Sequence, residues 1–275
     1  MSRLNIKFNF NYHFQNIFND LSIFFKKKLY SSKKLGKNIK SHQVYGFDIE
    51  ANNIIIEYLV KNFNYPAQII SEESEKIFLG NKEPKFTFII DPVDGSANVG
   101  RNLNIFSVGI AVLTSIKEFS IDSLVVSMVG NYLTNEFFVA QKGSNAFCNN
   151  EPISTSKNTD PETFVFNFEL NHLLKGQFQE LFDITPQIHQ VRSLGSALTA
   201  LSLVASGRLD AHIDVRNRLT IENILPASLL ILEAGGIITD DHGDSLKLTN
   251  NLEEPFNIIA SGNSKIHNWI LNKIN

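Results

Sequence analysis

The chain has 275 residues and near-balanced charge, 25 Lys+Arg against 28 Asp+Glu for a formal net charge of −3, so no nucleic-acid partner held by bulk charge is expected. The single cysteine, Cys148, excludes an internal disulfide and suits a reducing compartment. No apolar run approaches the roughly 18 residues of a spanning helix, and Met1 to Asn11 lacks the continuous apolar core of a signal peptide, so a cytoplasmic protein with no membrane partner is expected.

Phe14, Phe18, Leu21, Phe25 and Leu29 recur at helical spacing, which predicts an amphipathic helix over Asn11 to Tyr30. A basic stretch follows, with Lys26, Lys27, Lys28, Lys33, Lys34, Lys37 and Lys40. It reads as a helix C-terminus and solvated loop, or as a mobile loop that covers a phosphate. Asp48 to Phe63 is a second helix with Ile49, Ile56, Leu59, Val60 and Phe63 inward and Asp48 at its start as an ordinary N-cap. Ile69-Ile70 is a short strand running into Ser71-Glu72-Glu73, and the polar Glu75 to Lys85 reads as a loop.

The apolar strand Phe86 to Ile90 ends in Asp91-Pro92-Val93-Asp94-Gly95-Ser96. Pro92 suggests a sharp exit from the strand, Gly95 permits a turn, and Ser96 suits a helix start. Two carboxylates so close repel each other unless protons or a cation lie between them, and a hard cation such as Mg²⁺ is bound through such carboxylates. A turn with surface aspartates and a capping Ser is the alternative.

Beyond Ser96, Ile105 to Thr114, Ile121 to Val129 and Glu136 to Gln141 predict an antiparallel meander. The turn-rich Gly143 to Asn150 and the polar Glu151 to Glu162 follow, and the latter suggests a boundary between subdomains over 1–155 and 156–275. The second half alternates: strand Phe164 to Phe168, helix Asn171 to Phe182, and a helix opened by Gly195-Ser196-Ala197 and closed by Gly207. Strand Leu209 to Val215 comes next, with an irregular Arg216-Asn217-Arg218 behind it. Pro226 reads as the first turn of a helix to Glu233; strands Ile237 to Thr239 and Phe256 to Ala260 and a closing helix Ser264 to Ile274 complete the chain.

Taken in order, Ser71-Glu72-Glu73, Asp91-Pro92-Val93-Asp94-Gly95-Ser96, Gly195-Ser196-Ala197 and Glu233-Ala234-Gly235-Gly236 resemble the inositol monophosphatase family. Lys142-Gly143-Ser144-Asn145-Ala146-Phe147-Cys148-Asn149 resembles that family's Lys-Gly-x-Gly-Ala-Phe-x-Asn turn, with Asn145 in place of a Gly. Leu209-Asp210-Ala211-His212-Ile213-Asp214-Val215-Arg216, and Ile238-Thr239-Asp240 before Gly243-Asp244, look most like the archaeal branch. Members of that branch often hydrolyse fructose 1,6-bisphosphate as well as inositol monophosphate.

The resemblance implies an α+β (α/β) fold layered α-β-α-β-α, a homodimer, and Mg²⁺-dependent hydrolysis of a phosphate monoester. Carried over by position, Glu72, Asp91 and the Val93 carbonyl hold one metal, and Asp91 with Asp94 shares a second. Ser96, where the family has Thr, and Asp48 orient and deprotonate the attacking water, and the N–H groups of Gly95 and Ser96 hold the phosphate. Gly195, Ser196 and Ala197 line the ring pocket, Asp214 binds a substrate hydroxyl, and Arg216 and Arg218 offer charge for a second phosphate. Asp214 as a plain strand-end acid and the arginines as surface charges are the alternative.

The sequence departs from the family at the last metal ligand, an Asp ten residues before the Glu of Glu233-Ala234-Gly235-Gly236, where this chain has Asn223. An Asn offers a carbonyl oxygen but removes a full charge, so weaker binding of the second metal is expected, unless the neighbouring Glu222 swings in. Asn223 as a helix cap is the structural alternative. The lead-in to Asp48, Gln43-Val44-Tyr45-Gly46-Phe47, also lacks the family's Thr or Asp-rich character. A catalytically weakened relative that binds a sugar phosphate or a partner is therefore the second reading.

Overall fold

The computed structural model describes residues 8–27, 33–37, 43–114, 117, 119–248 and 253–274. In chain order the elements are α1 (Phe10–Lys26), β1 (Lys34–Lys37), β2 (Gln43–Tyr45), α2 (Gly46–Asn62), β3 (Ala67–Ser71), β4 (Ser74–Leu79) and β5 (Phe86–Asp94). Then come α3 (Ser96–Val99), β6 (Ser107–Leu113), β7 (Leu124–Asn131), β8 (Glu136–Gln141), β9 (Ala146–Cys148), β10 (Glu151–Pro152) and β11 (Val165–Phe168). The chain ends with α4 (Lys175–Ile184), β12 (Gln190–Arg192), α5 (Ala197–Ala205), β13 (Ala211–Leu219), α6 (Ile221–Glu233), β14 (Ile237–Thr239), β15 (Phe256–Ser261) and α7 (Ser264–Ile274).

Two sheets carry the molecule: an 8-stranded one ordered β10-β9-β8-β7-β6-β5-β3-β4 and a 5-stranded one ordered β12-β11-β13-β15-β14. Strand periodicity assigns their faces. In β5, Phe88 and Ile90 point to a core shared with α1 and α2, through Phe14, Leu21, Ala51 and Ile55. Ile89 points the other way, to a core built on Leu198 and Leu201 of α5 and Leu225 of α6, which Ile258 and Ala260 of β15 also reach. Ile259, between those two, faces the third core with Leu181 of α4 and Ile266 and Ile270 of α7. The result is the α-β-α-β-α sandwich expected from sequence, and the proposed division at residue 155 lies between the last strand of one sheet and the first of the other.

Several boundaries differ for local physical reasons. Pro92 does not end β5: the strand runs to Asp94, and Asp91 pairs with Gly109 while Asp94 pairs with Ser107, so a bulge accommodates the residue that lacks an N–H. The presumed loop after Glu73 contains β4, an edge strand whose Glu75, Lys76 and Phe78 are exposed. In α2 the buried face is Phe47, Ala51, Asn52, Ile55 and Leu59; of the residues expected inward, Leu59 and Phe63 are buried, Ile49 and Ile56 are half-buried, and Val60 is exposed. Lys34–Lys37 forms a fully exposed strand paired with Gln43–Tyr45 rather than a loop; Lys28, Leu29, Tyr30 and Lys40 lie outside the described residues. The helix after β11 starts at Lys175, not Asn171, and β13 runs through Arg216-Asn217-Arg218, with Asn217 at φ 54° where the register shifts. Asn145, where the family has a Gly, sits at φ 64°, a left-handed position that Asn tolerates best after Gly.

Pro226 stands inside α6 rather than in its first turn. A Cβ on Gly109 of β6 would lie 2.7 Å from Pro226 Cβ and 2.4 Å from Leu198 Cδ1, so the bare glycine lets α5 and α6 lie flat on the large sheet. Gly109→Ala is therefore expected to destabilise the protein by about 1–3 kcal/mol through overpacking. Urea unfolding checks this; an unchanged midpoint would contradict the packing described.

Candidate active site

Six segment ends meet at one cavity of about 450 Å³. The end of β3 brings Glu72, whose N–H donates to the Ile90 carbonyl at 3.3 Å and so sits beside β5. The end of β5 brings Asp91, Val93 and Asp94, the turn after it Gly95 and Ser96, and the start of α5 Ser196 and Ala197. The start of α6 contributes Asn223, the stretch after β11 Glu169, and β13 Arg216 and Arg218. Gly95 is required twice over: its φ is +99°, and a Cβ there would come within 2.9 Å of the Ile105 carbonyl oxygen.

Asp48 does not line the cavity but stands directly behind it, almost fully buried. It is the third residue of α2 rather than the N-cap. Its Oδ2 accepts the Tyr45 N–H at 2.7 Å, and its Oδ1 lies 2.6 Å from Ser96 Oγ. Ser96 Oγ is also 2.9 Å from the Val93 carbonyl oxygen, so its single proton serves one acceptor at a time. Burial pushes the Asp48 carboxyl up to about 6, against the lowering effect of the Ser96 and Tyr45 donors, and nearby Glu72 adds to the rise.

Asp91 is fully buried. Burial holds its carboxyl well above the ordinary range, and the charges of Glu72, Asp94 and Glu222 raise it further. Only the hydrogen bond from Asn223 acts in the opposite sense among these influences. Asp94 is raised to about 6 by burial, moderated by donors at the start of α5: Ser196 Oγ, the Leu198 N–H at 2.8 Å and the Ala197 N–H.

Asn223 has a settled orientation. The Thr220 N–H, which can only donate, reaches Asn223 Oδ1 at 3.1 Å, so the side-chain NH₂ is the group that faces Asp91 Oδ2 at 2.8 Å. The N-cap of α6 is Thr220, and Asn223 is the third residue of the helix, making the return half of a capping box. Its carbonyl oxygen thus serves the helix start, and its amide donates to the carboxylate. Glu222 is tied to Thr220 Oγ1 at 2.5 Å while its charge still acts on Asp91.

Concentrated, mutually repelling carboxylates with the Val93 carbonyl beside them are a donor set that fits a hard divalent cation on the Glu72–Asp91 side. The fit is poorer on the Asn223 side, where an NH₂ group occupies Asp91 Oδ2. Among the described residues no group of three or more His, Cys, Asp or Glu is arranged to hold a metal.

Two other residues singled out from sequence lie differently. Asp214 is fully buried, does not line the cavity, and is gripped at both oxygens by Arg216, at 2.8 Å and 2.6 Å. Of the two arginines, Arg218 is exposed at the cavity, whereas Arg216 is engaged with Asp214. Glu169 was not anticipated, although an acid immediately after a buried strand is the same signal that marked Glu72.

The model of the inositol monophosphatase family matches residues 19–275. The chain belongs to the inositol monophosphatase family. Members of that family are metal-dependent phosphoric monoester hydrolases. The chain is 30% identical over 212 residues to the fructose-1,6-bisphosphatase/inositol-1-monophosphatase of Methanothermobacter thermautotrophicus, covering 75% of this chain and 74% of that one. It is 29% identical over 248 residues to the protein of the same name from Thermococcus kodakarensis, covering 88% and 89%. The solved extragenic suppressor protein suhB from Bartonella henselae superposes with a TM-score of 0.78 at 27% identity, covering 94% of each chain.

The charge cluster makes a prediction about stability. Asp48 and Asp94 are raised from 3.8 to about 6, so the stability they contribute is fully present below about pH 4 and is lost as pH rises through 6. In a chelator, Glu72→Gln removes a charge that raises both Asp48 and Asp91. It is expected to lift Tm at pH 7.5 by about 2–4 °C and to lift it less at pH 5. Scanning calorimetry reads this directly; a lower Tm for the variant at pH 7.5 would contradict the repulsion.

Proposed function

We propose that this chain is a Mg²⁺-dependent phosphatase acting on inositol monophosphate, fructose 1,6-bisphosphate or both. The observation that carries the reading is the Ser96–Asp48 pair, hydrogen-bonded at 2.6 Å, against the buried Asp91–Asp94 carboxylates. A bound divalent cation would neutralise the phosphate dianion, lower the pKa of a water and stabilise the leaving oxygen. Glu72, Asp91 and the Val93 carbonyl would hold it.

The chain's own residues supply the proton path. With Asp48 ionised, Ser96 O–H donates to it, and the Ser96 lone pairs accept a hydrogen bond from the attacking water. As the water oxygen bonds to phosphorus and the bond from phosphorus to the ester oxygen breaks, the water proton passes to Ser96 Oγ and the hydroxyl proton to Asp48 Oδ1, and the departing alkoxide takes its proton from solvent. The N–H groups of Gly95 and Ser96 donate to the phosphate oxygens, Ser196 and Ala197 face the ring, and Arg218 offers charge to a second phosphate; all line the cavity. A cytoplasmic homodimer belongs to the same proposal: Cys148 is a buried free thiol, which suits a reducing compartment, and the homodimer rests on the family.

The Asn223 amide on Asp91 favours a second reading, a weakened member that binds a sugar phosphate without efficient turnover. Phosphate release from both esters across a Mg²⁺ titration separates the two. The phosphatase reading expects turnover with a non-cooperative Mg²⁺ dependence, and Ser96→Ala is expected to lower kcat by about 10²–10⁴-fold. Asn223→Asp frees Asp91 Oδ2 and is expected to make the Mg²⁺ dependence cooperative. Turnover absent in the natural chain and present only in Asn223→Asp would establish the weakened reading instead.

A further inference from the structure

Glu169 follows the last residue of β11 and is 2% exposed, yet it lines the cavity. Its two oxygens are unequally engaged. Oε1 accepts the Gly195 N–H at 3.0 Å and the Asn167 Nδ2 at 3.0 Å. The Asn167 orientation is settled by the Leu194 N–H, which donates to its Oδ1 at 3.1 Å. Among the described residues Oε2 has a single hydrogen-bond partner, Ser193 Oγ, at the 3.5 Å limit. A carboxylate oxygen offers two lone-pair sites, so Oε2 keeps acceptor capacity in a nearly dehydrated position.

Its surroundings decide what it can accept. Glu169 is near enough to Asp94 for its charge to raise that carboxyl, and near enough to Arg216 to act on the guanidinium. An ionised carboxylate oxygen can only accept, so Oε2 suits a hydroxyl donor and not an anion. Asp214 is not placed to serve: it is not among the residues lining the cavity, and Arg216 engages both of its oxygens.

Given the phosphatase reading, on which this rests, we propose that Glu169 is the specificity-determining acceptor for a ring hydroxyl of a phosphorylated polyol or sugar. Its Oε1 fixes the Gly195 turn, which holds Oε2 toward the substrate ring. Esters that carry a hydroxyl near the phosphate are selected over those that carry none, because an unsatisfied buried carboxylate oxygen penalises the latter.

The test compares inositol 1-phosphate with p-nitrophenyl phosphate, which has no ring hydroxyl, on the natural protein, Glu169→Gln and Glu169→Asp. Thermal melts confirm that each variant is folded. Glu169→Gln is expected to lower kcat/KM for inositol 1-phosphate by about 10–100-fold, mostly through KM, and for p-nitrophenyl phosphate by less than about 3-fold. Glu169→Asp is expected to recover part of the loss. Equal losses on both esters would overturn the proposal and leave Glu169 as a support for the Gly195 turn. If the natural protein hydrolyses neither ester at any Mg²⁺ concentration, the phosphatase reading fails. Calorimetric binding of inositol 1-phosphate to the natural protein and to Glu169→Gln then decides the role of Glu169: a 10–100-fold weaker Kd in the variant supports it, and equal Kd values overturn it.

Discussion

A carboxylate with no surface exposed to water, Asp91, stands at the end of β5 with further acids acting on it, and much of the site is a response to that charge. Taking an ion out of water costs several kcal/mol even after relaxation. One hydrogen bond to a charged group contributes roughly 1.5–3 kcal/mol. The Val93 N–H at 3.1 Å and the Asn223 amide at 2.8 Å are the donors on Asp91, and the charges of Glu72, Asp94 and Glu222 work against them. Protonation relieves the imbalance at low pH, and a cation relieves it at neutral pH. Under the proposed function, that second remedy is what suits the cluster to phosphate chemistry.

The layers explain why the charge can be held there. Each contributor stands at an element's end: Glu72 after β3, Asp91 and Asp94 at the end of β5, Asp48 in the first turn of α2, Ser196 before α5, Asn223 in the first turn of α6. Element ends have backbone groups that regular structure leaves unused, and here they are turned onto the acids, as with the Tyr45 N–H on Asp48 and the Leu198 N–H on Asp94. The apolar cores on either side leave these side chains to the cavity, or, for Asp48, to the buried position directly behind it. Rigid placement of Ser96 against Asp48 follows from the same packing, since Ser71 of β3 donates to Asn52 of α2 at 2.7 Å and fixes that helix on the sheet.

The layered fold and the central acids were legible because their signals are local: alternation in the strands, and Asp91 to Ser96 as one contiguous segment. What was not legible depended on register and on where helices begin. Pro226 suggested a helix start, so Asn223 looked like a cap ahead of it; with α6 starting at Ile221, Asn223 becomes the third residue, its amide turned on Asp91. Asp214 could have been discounted, since Arg216 two residues on lies on the same strand face and can pair with it. Glu169 likewise followed a buried strand, as Glu72 does, and only its isolation from any family motif hid it. The one-residue bulge around Pro92 could not be foreseen, because it depends on the partner strand β6.

The most direct test of the account is an anomalous-scattering map from crystals grown with Mn²⁺ and inorganic phosphate. The account predicts a cation peak bounded by Glu72, Asp91 and the Val93 carbonyl, with phosphate over Gly95 and Ser96 and the Asn223 amide still on Asp91. A site with no cation beside Asp91 at saturating Mn²⁺ would contradict it.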